Sequence, residues 1–409
     1  MLEQFATYFA APPFHLVGQV YAVLTATAFI WGTLLSIWLA QSFWLEYIRA
    51  DFIRKNFDFI LLEIKLPRII EKTPVAMELV LQALYQNKPL DWYDVWWKGE
   101  VKPWFSLEIV SIEGGVKFLI RTPARYKRVV EAHIYAQYPD IEVIEVKDYV
   151  SLAPYIHEKE NWSLWGTEFK LLKPDPYPIK TYVDYGLDQT MTPEEMKSDP
   201  ITSLIEFLGH IGRGQQIWMQ FLVQANSNRY KTPGKLFARH GWADEGKLVI
   251  KKIQEKFSGD FGVFKATKRE SEVIYAIERS LGKVGFDCGI RVLYIAKNEF
   301  YDSTVRSGLI GIFGQYSSQD LNGFGPKYYT SISHPWEDFR GIRLKLKKKR
   351  LFDAYVRRSC FHAPYKRKPF VLNAEELATI YHFPGGVAET PTLSRTESRK
   401  GEPPANLPV

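Results

Sequence analysis

Charge is missing from the start of this 409-residue chain: residues 4 to 45, forty-two consecutive positions, contain no Asp, Glu, Lys or Arg. A wholly soluble protein is thereby excluded as the expectation, because such a run has no polar face to turn towards water. Cysteine is scarce too. Cys288 and Cys360 stand 72 residues apart without CxxC or Cys/His spacing, so neither a disulfide framework nor a zinc ribbon is indicated. No GxxxxGK[ST], GxGxxG after a strand, HExxH, GxSxG, or deaminase-type HxE with PCxxC occurs, which argues against a P-loop NTPase, a dinucleotide fold and the common hydrolases. The expectation is a non-enzymatic protein with no catalytic, metal or cofactor residues and no cofactor. An enzyme of unrecognised type would need a buried polar cluster in a large pocket.

What is present begins with Leu16 to Ala40, twenty-five residues that make about 37 Å of helix. That length spans a bilayer with some tilt, and Trp38, Phe43, Trp44 and Tyr47 near its end suit an interfacial belt. A signal peptide is the rival reading, but its n-region would carry Glu3 and no Lys or Arg. Arg49, Arg54 and Lys55 follow the run and none precedes it, so the positive-inside rule places the body in the cytoplasm. The expected location is a bacterial inner membrane, crossed once.

The body alternates strand and helix patterns. Leu62, Ile64 and Leu66 share one face of a strand, and Thr73-Pro74 opens a helix striped by Met77, Val80, Leu81 and Leu84. A hairpin turns at Glu113-Gly114-Gly115. A helix over Ala124 to Tyr138, with His133 expected as a core residue on its apolar stripe, leads to a strand over Ile141 to Val146. This β-α-β-β-α-β order predicts a ferredoxin-like split βαβ unit. Asp199-Pro200 repeats the helix start, QIWMQFLVQ from Gln216 repeats the strand, and helix Lys268 to Leu281 precedes a strand over Cys288 to Ala296. The fold class expected is α+β: a transmembrane helix, then tandem ferredoxin-like units, the second degenerate with an insertion. The segments are a short N-terminal stretch (1–15), the transmembrane helix (16–45), the first unit (56–150), the second (160–300, insertion 225–267), a basic C-terminal α/β extension (301–385) and a Pro-rich tail (386–409).

The net charge of +7 is local. Between Arg340 and Lys368 stand Arg340, Arg343, Lys345, Lys347, Lys348, Lys349, Arg350, Arg357, Arg358, Lys366, Arg367 and Lys368 against one acid, Asp353, leaving −4 for the rest of the chain. Interleaved Phe352, Tyr355, Phe361 and Tyr365 could stack on bases while the cations hold phosphates. The same segment suits anionic headgroups, or a solvated basic face whose aromatics turn into the core. Asn373-Ala-Glu-Glu-Leu reads as a capped helix start.

Several stretches resemble a known family: FDFILLEIKLPRIIEKTPVAMELVLQALYQ from Phe57, WFSLEIVSIEGGVKFLI with IYAQYPDIEV after it, DPITSLIEFLGHIGRGQQIWMQFLV, and VLNAEELATIYHFPG with the closing ETPTLSR and EPPANLPV. They are similar to the membrane-anchored N-terminal region of type IV secretion and conjugation-type ATPases of the HerA/FtsK class, over about residues 56 to 409. In fused relatives a Walker-containing motor follows the counterpart of EPPANLPV, where this sequence stops. The resemblance implies a stand-alone module without the ATP and magnesium residues, serving a separate translocation ATPase. Apart from the resemblance, DNA at the basic segment and a second copy of the chain are partners left open.

Overall fold

A computed structural model describes residues 12–67, 72–152, 161–188, 198–232, 238–257, 267–332 and 334–385. The Pro-rich tail and residues 1–11 of the N-terminal stretch lie outside the described residues. The chain divides into two compact units, one formed by Met1–Phe57 with Pro89–Val101, the other by Asp58–Lys88 with Lys102–Val409.

In the first unit the apolar run is two helices, α1 (Pro12–Ala26) and α2 (Ala28–Asn56), where the sequence predicts one. The joint is Thr27, whose hydroxyl bonds to Val23 O at 2.7 Å, the i−4 back-bond that bends helices. Helix α2, 29 residues long, is apolar and long enough to cross a membrane, and its apolar stretch is uncovered. Its hydroxyls turn inward to their own backbone: Thr33 to Phe29 O (2.9 Å), Ser36 to Gly32 O and Ser42 to Trp38 O (both 2.8 Å). The Pro89–Val101 excursion grips the far end. Trp44 Nε1 donates to Trp96 O at 3.1 Å, and Gly99, at φ +65°, lies so close to Ile48 that a methyl group there would sit 2.6 Å from its carbonyl.

The second unit is built on one antiparallel sheet. Its strands are β1 (Phe59–Lys65), β2 (Trp104–Ile112), β3 (Gly115–Pro123), β4 (Glu142–Val146), β5 (Trp162–Leu171), β6 (Gln215–Ala225), β9 (Gly285–Lys297), β10 (Phe324–Tyr329) and β11 (Phe370–Asn373); β7 (Tyr230–Lys231) and β8 (Arg239–His240) form a separate small hairpin. The spatial order is β10-β5-β9-β6-β2-β3-β1-β4, with β11 beside the start of β9. Strands β2 and β3 meet through a two-residue turn with Glu113 at φ 53° and Gly114 at φ 89°, the positive pair that matches strand twist.

Helices α3 (Pro74–Ala83), α4 (Lys127–Gln137), α5 (Pro200–Gly209), α8 (Thr304–Ile312) and α10 (Ala374–Ile380) share a large apolar core with one sheet face, through Leu107, Ile109, Phe221 and Val292 among others. Helix α5 starts where Asp199 accepts the Ile201 N–H, and α10 starts with a complete capping box between Asn373 and Glu376. Thr73 stands at the start of α3 without a side-chain cap bond.

Three expectations change. His133 is exposed, because α4 buries the narrower stripe of Val130 and Ile134. Helices α6 (Trp242–Phe257) and α7 (Lys268–Leu281) both lie in the one connection between β6 and β9, which extends past residue 267. Residue 300 is not a boundary, since β10 pairs with β5, and β11 with β9, in the same sheet.

Candidate functional site

The basic segment is the feature that sequence singles out for binding, and it starts as helix α9 (Ile342–Val356). Leu351, Phe352 and Tyr355 of α9 pack on the second face of the sheet against Val110, Leu164, Trp218 and Leu293. Gly166 makes the approach feasible: a methyl group there would lie 2.7 Å from Leu351 Cδ2 and 2.9 Å from Val292 O. Strand β2 alternates Phe105, Leu107 and Ile109 with Ser106 and Glu108, a half-buried pattern, yet all five are buried because this segment covers the outward side.

Two carboxylates of the sheet hold the segment down. Glu108 receives Arg358 Nε at 3.0 Å and Nη2 at 3.1 Å, and both side chains are 1% exposed or less. Arg358 also reaches Asp148 at 2.5 and 2.9 Å. Ser106 (2.6 Å) and Tyr149 (2.8 Å) donate to the same Glu108 carboxylate. Burial opposes both charges, but mutual attraction outweighs it, so Arg358 is held well above the usual guanidinium range and Glu108 below the usual carboxylate range. Arg121, beneath them, is pushed down to about 10 by burial and then by the Arg358 charge. On β5, Glu168 accepts from Arg291 Nε at 2.9 Å and Arg367 Nε at 3.0 Å, and Arg291 donates to Ala354 O at 3.0 Å near the C-terminus of α9.

The twelve cations therefore separate. Arg358 is a core residue and offers nothing to a partner; its cost of burial is met by Glu108 and Asp148. Arg367 is half-buried on Glu168, and Lys348 is half-buried with its pKa lowered chiefly by burial. Arg340, Arg343, Lys345, Lys347, Lys349, Arg350, Arg357, Lys366 and Lys368 are exposed. Phe352, Tyr355 and Phe361 are buried and Tyr365 half-buried, so three of the four aromatics read as base-stacking partners are in the core.

Sequence reasoning passed over Trp336, Phe339, Ile342 and Leu346, which are exposed. The signal was available. Ile342 and Leu351 are nine residues apart, as are Leu346 and Tyr355, which is two and a half helical turns, so burying one pair turns the other outward.

A groove of about 440 Å³ beside α9 is lined by Lys327, Tyr328, Lys347, Arg350 and Arg367, and by one acid, Glu337. Lys327, Lys347, Arg350 and Arg367 make its lining mostly cationic, and Thr330 and Ser331 add hydroxyls. The thiols lie elsewhere and are buried, Cys360 being pushed up to about 11 by burial. Among the described residues no group of His, Cys, Asp or Glu could hold a metal ion.

No curated protein matches the chain. A family model described as a domain of unknown function, DUF8128, matches residues 67–396, the whole of the sheet from β2 onward and the basic segment with it. The chain belongs to the DUF8128 family.

Proposed function

We propose that this protein is a membrane-anchored, non-catalytic docking scaffold in a type IV secretion or conjugation-like translocation apparatus, with its body in the cytoplasm and a HerA/FtsK-class ATPase as its partner. The observation that carries the anchoring is helix α2. Its apolar side chains are uncovered and its hydroxyls are satisfied within the helix, which costs free energy in water and none in hydrocarbon. The partner rests on the resemblance of the quoted stretches.

We read the body as tandem ferredoxin-like units. The order β2-β3-β1-β4 supports the first, and β6-β9-β5-β10, with the same second-third-first-fourth arrangement, supports the other. Strands β2 and β6 pair along their length and join the two halves into one continuous sheet. That leaves an extended, rigid platform suited to docking.

Nucleic-acid binding through residues 340–368 is the second reading. The exposed cations favour it and the burial of Phe352, Tyr355 and Phe361 weighs against it. The test is purification of the full chain from detergent-solubilised membranes of its own cell. Co-purification of a HerA/FtsK-class motor in fixed proportion is the expected result; a chain recovered from the soluble fraction, or from membranes without any motor or secretion component, refutes the proposal.

A further inference from the structure

Four large apolar side chains stand in the open around the start of α9: Trp336 is 80% exposed, Phe339 72%, Ile342 52% and Leu346 47%. Single exposed apolar residues are ordinary, but four within eleven residues are a concentration that water disfavours. Their setting is organised. At about 100° per residue, Ile342 and Leu346 point the same way from α9, with Lys345 and Lys349 on one flank and Arg343, Lys347 and Arg350 on the other. The only acid in α9, Asp353, lies in its last turn and accepts from Tyr365 Oη at 3.3 Å. The basic groove opens along the second flank, where Arg367 lies 4.6 Å from the Tyr328 ring centre.

We infer that this face is a membrane-surface site for anionic phospholipid. Phe339, Ile342 and Leu346, with Trp336, enter the boundary between headgroups and acyl chains, while the flanking cations and the groove take the lipid phosphates. An exposed apolar stripe between two rows of Lys and Arg is the arrangement by which a helix lies in an anionic interface. Nucleic acid would use the same cations and could stack on Trp336 and Phe339, but it has no counterpart for Ile342 and Leu346, which are aliphatic and cannot support bases as aromatic rings do. The site is separate from helix α2 and does not depend on which protein the scaffold docks.

The experiment uses the full chain with Ile342→Cys labelled by an environment-sensitive fluorophore; Cys288 and Cys360 are buried and stay unlabelled. The protein is reconstituted in vesicles of phosphatidylcholine alone or with phosphatidylglycerol, each carrying a lipid-borne quencher. The label is expected to be quenched in the anionic vesicles and not in the neutral ones. A label at Tyr275→Cys, on the exposed side of α7, is expected to be unaffected in both. Replacing Lys345 and Lys349 by Glu should reduce the preference for anionic vesicles about 25-fold or more, since each cation near such a surface contributes about five-fold. Flotation with neutral vesicles reports helix α2 separately, so loss of anchoring and loss of this contact are distinguishable. A label at position 342 that stays in water on anionic vesicles overturns the inference, as does one that ignores lipid and responds to a single-stranded oligonucleotide at low salt.

Discussion

Arg358→Met removes a guanidinium that is 1% exposed and leaves Glu108, which is fully buried, facing the space it held. Methionine keeps most of the volume, so the loss is electrostatic and not a cavity. Breaking a buried pair by removing one partner typically costs about 3–5 kcal/mol. Asp148 adds little to that figure, because its side chain is 40% exposed and water can replace Arg358 there. Arg121, which also feels the Glu108 charge, supplies partial compensation, so the loss belongs at the lower end, about 3 kcal/mol. For a unit of this size the fall in Tm is about 4 °C. The assay is thermal or urea unfolding of the full chain in detergent, followed by tryptophan fluorescence.

The pH dependence gives an independent check. Glu108 has a folded pKa below its ordinary 4.5, so the stability it confers is present above that value and lost as the pH falls through its folded range. In Arg358→Met the carboxyl keeps its burial without its cation, so its pKa rises and acid relieves the strain. The gap between wild type and variant should therefore narrow on acidification, and adding Glu108→Gln to Arg358→Met should recover part of the loss. A single variant within about 1 kcal/mol of wild type at neutral pH, or a double variant less stable than the single, would refute the reasoning.

Two further perturbations test how the second unit is held together. Gly166→Ala forces a methyl group against Leu351 and Val292; it should cost about 1–3 kcal/mol and speed amide exchange across residues 342–356, and unchanged exchange would mean that the close approach does not seat α9. Glu376 is fully buried and pushed up to about 8 by desolvation, although both of its oxygens accept backbone N–H groups, from Asn373 and Ile179 at 2.8 Å. Its folded pKa is raised, so its contribution is whole below about 4.5 and is lost between there and about 8, by up to about 1.4 kcal/mol per pH unit. The stability of wild type relative to Glu376→Gln should fall over that window, and a difference independent of pH would show that Glu376 folds in its charged form.

Much of this protein was legible one element at a time. The charge-free run, the Glu113-Gly114 turn, the Asp199 and Asn373 helix starts and the alternation in β2 each depend on neighbours within a few residues, which is the range over which hydrophobic period and capping act. Strand β10 was not legible in this way, because its Gly-Pro content hides the alternation and its pairing with β5 is supplied by residues more than 150 positions away.

By itself, then, the sequence determined most of the segments that become helix and strand, which end is apolar, and that the positive excess is concentrated in residues 340–368. Only the tertiary structure decided where that charge stands. Glu108 and Arg358 are 250 residues apart, and nothing in the spacing of either reveals that β2 turns its polar side towards α9. Their pairing draws Arg358, Phe352 and Tyr355 into the core and, through the fixed pitch of a helix, turns Ile342 and Leu346 outward between the remaining cations. Burial is a property of what covers a face, and here the cover arrives from the far end of the chain.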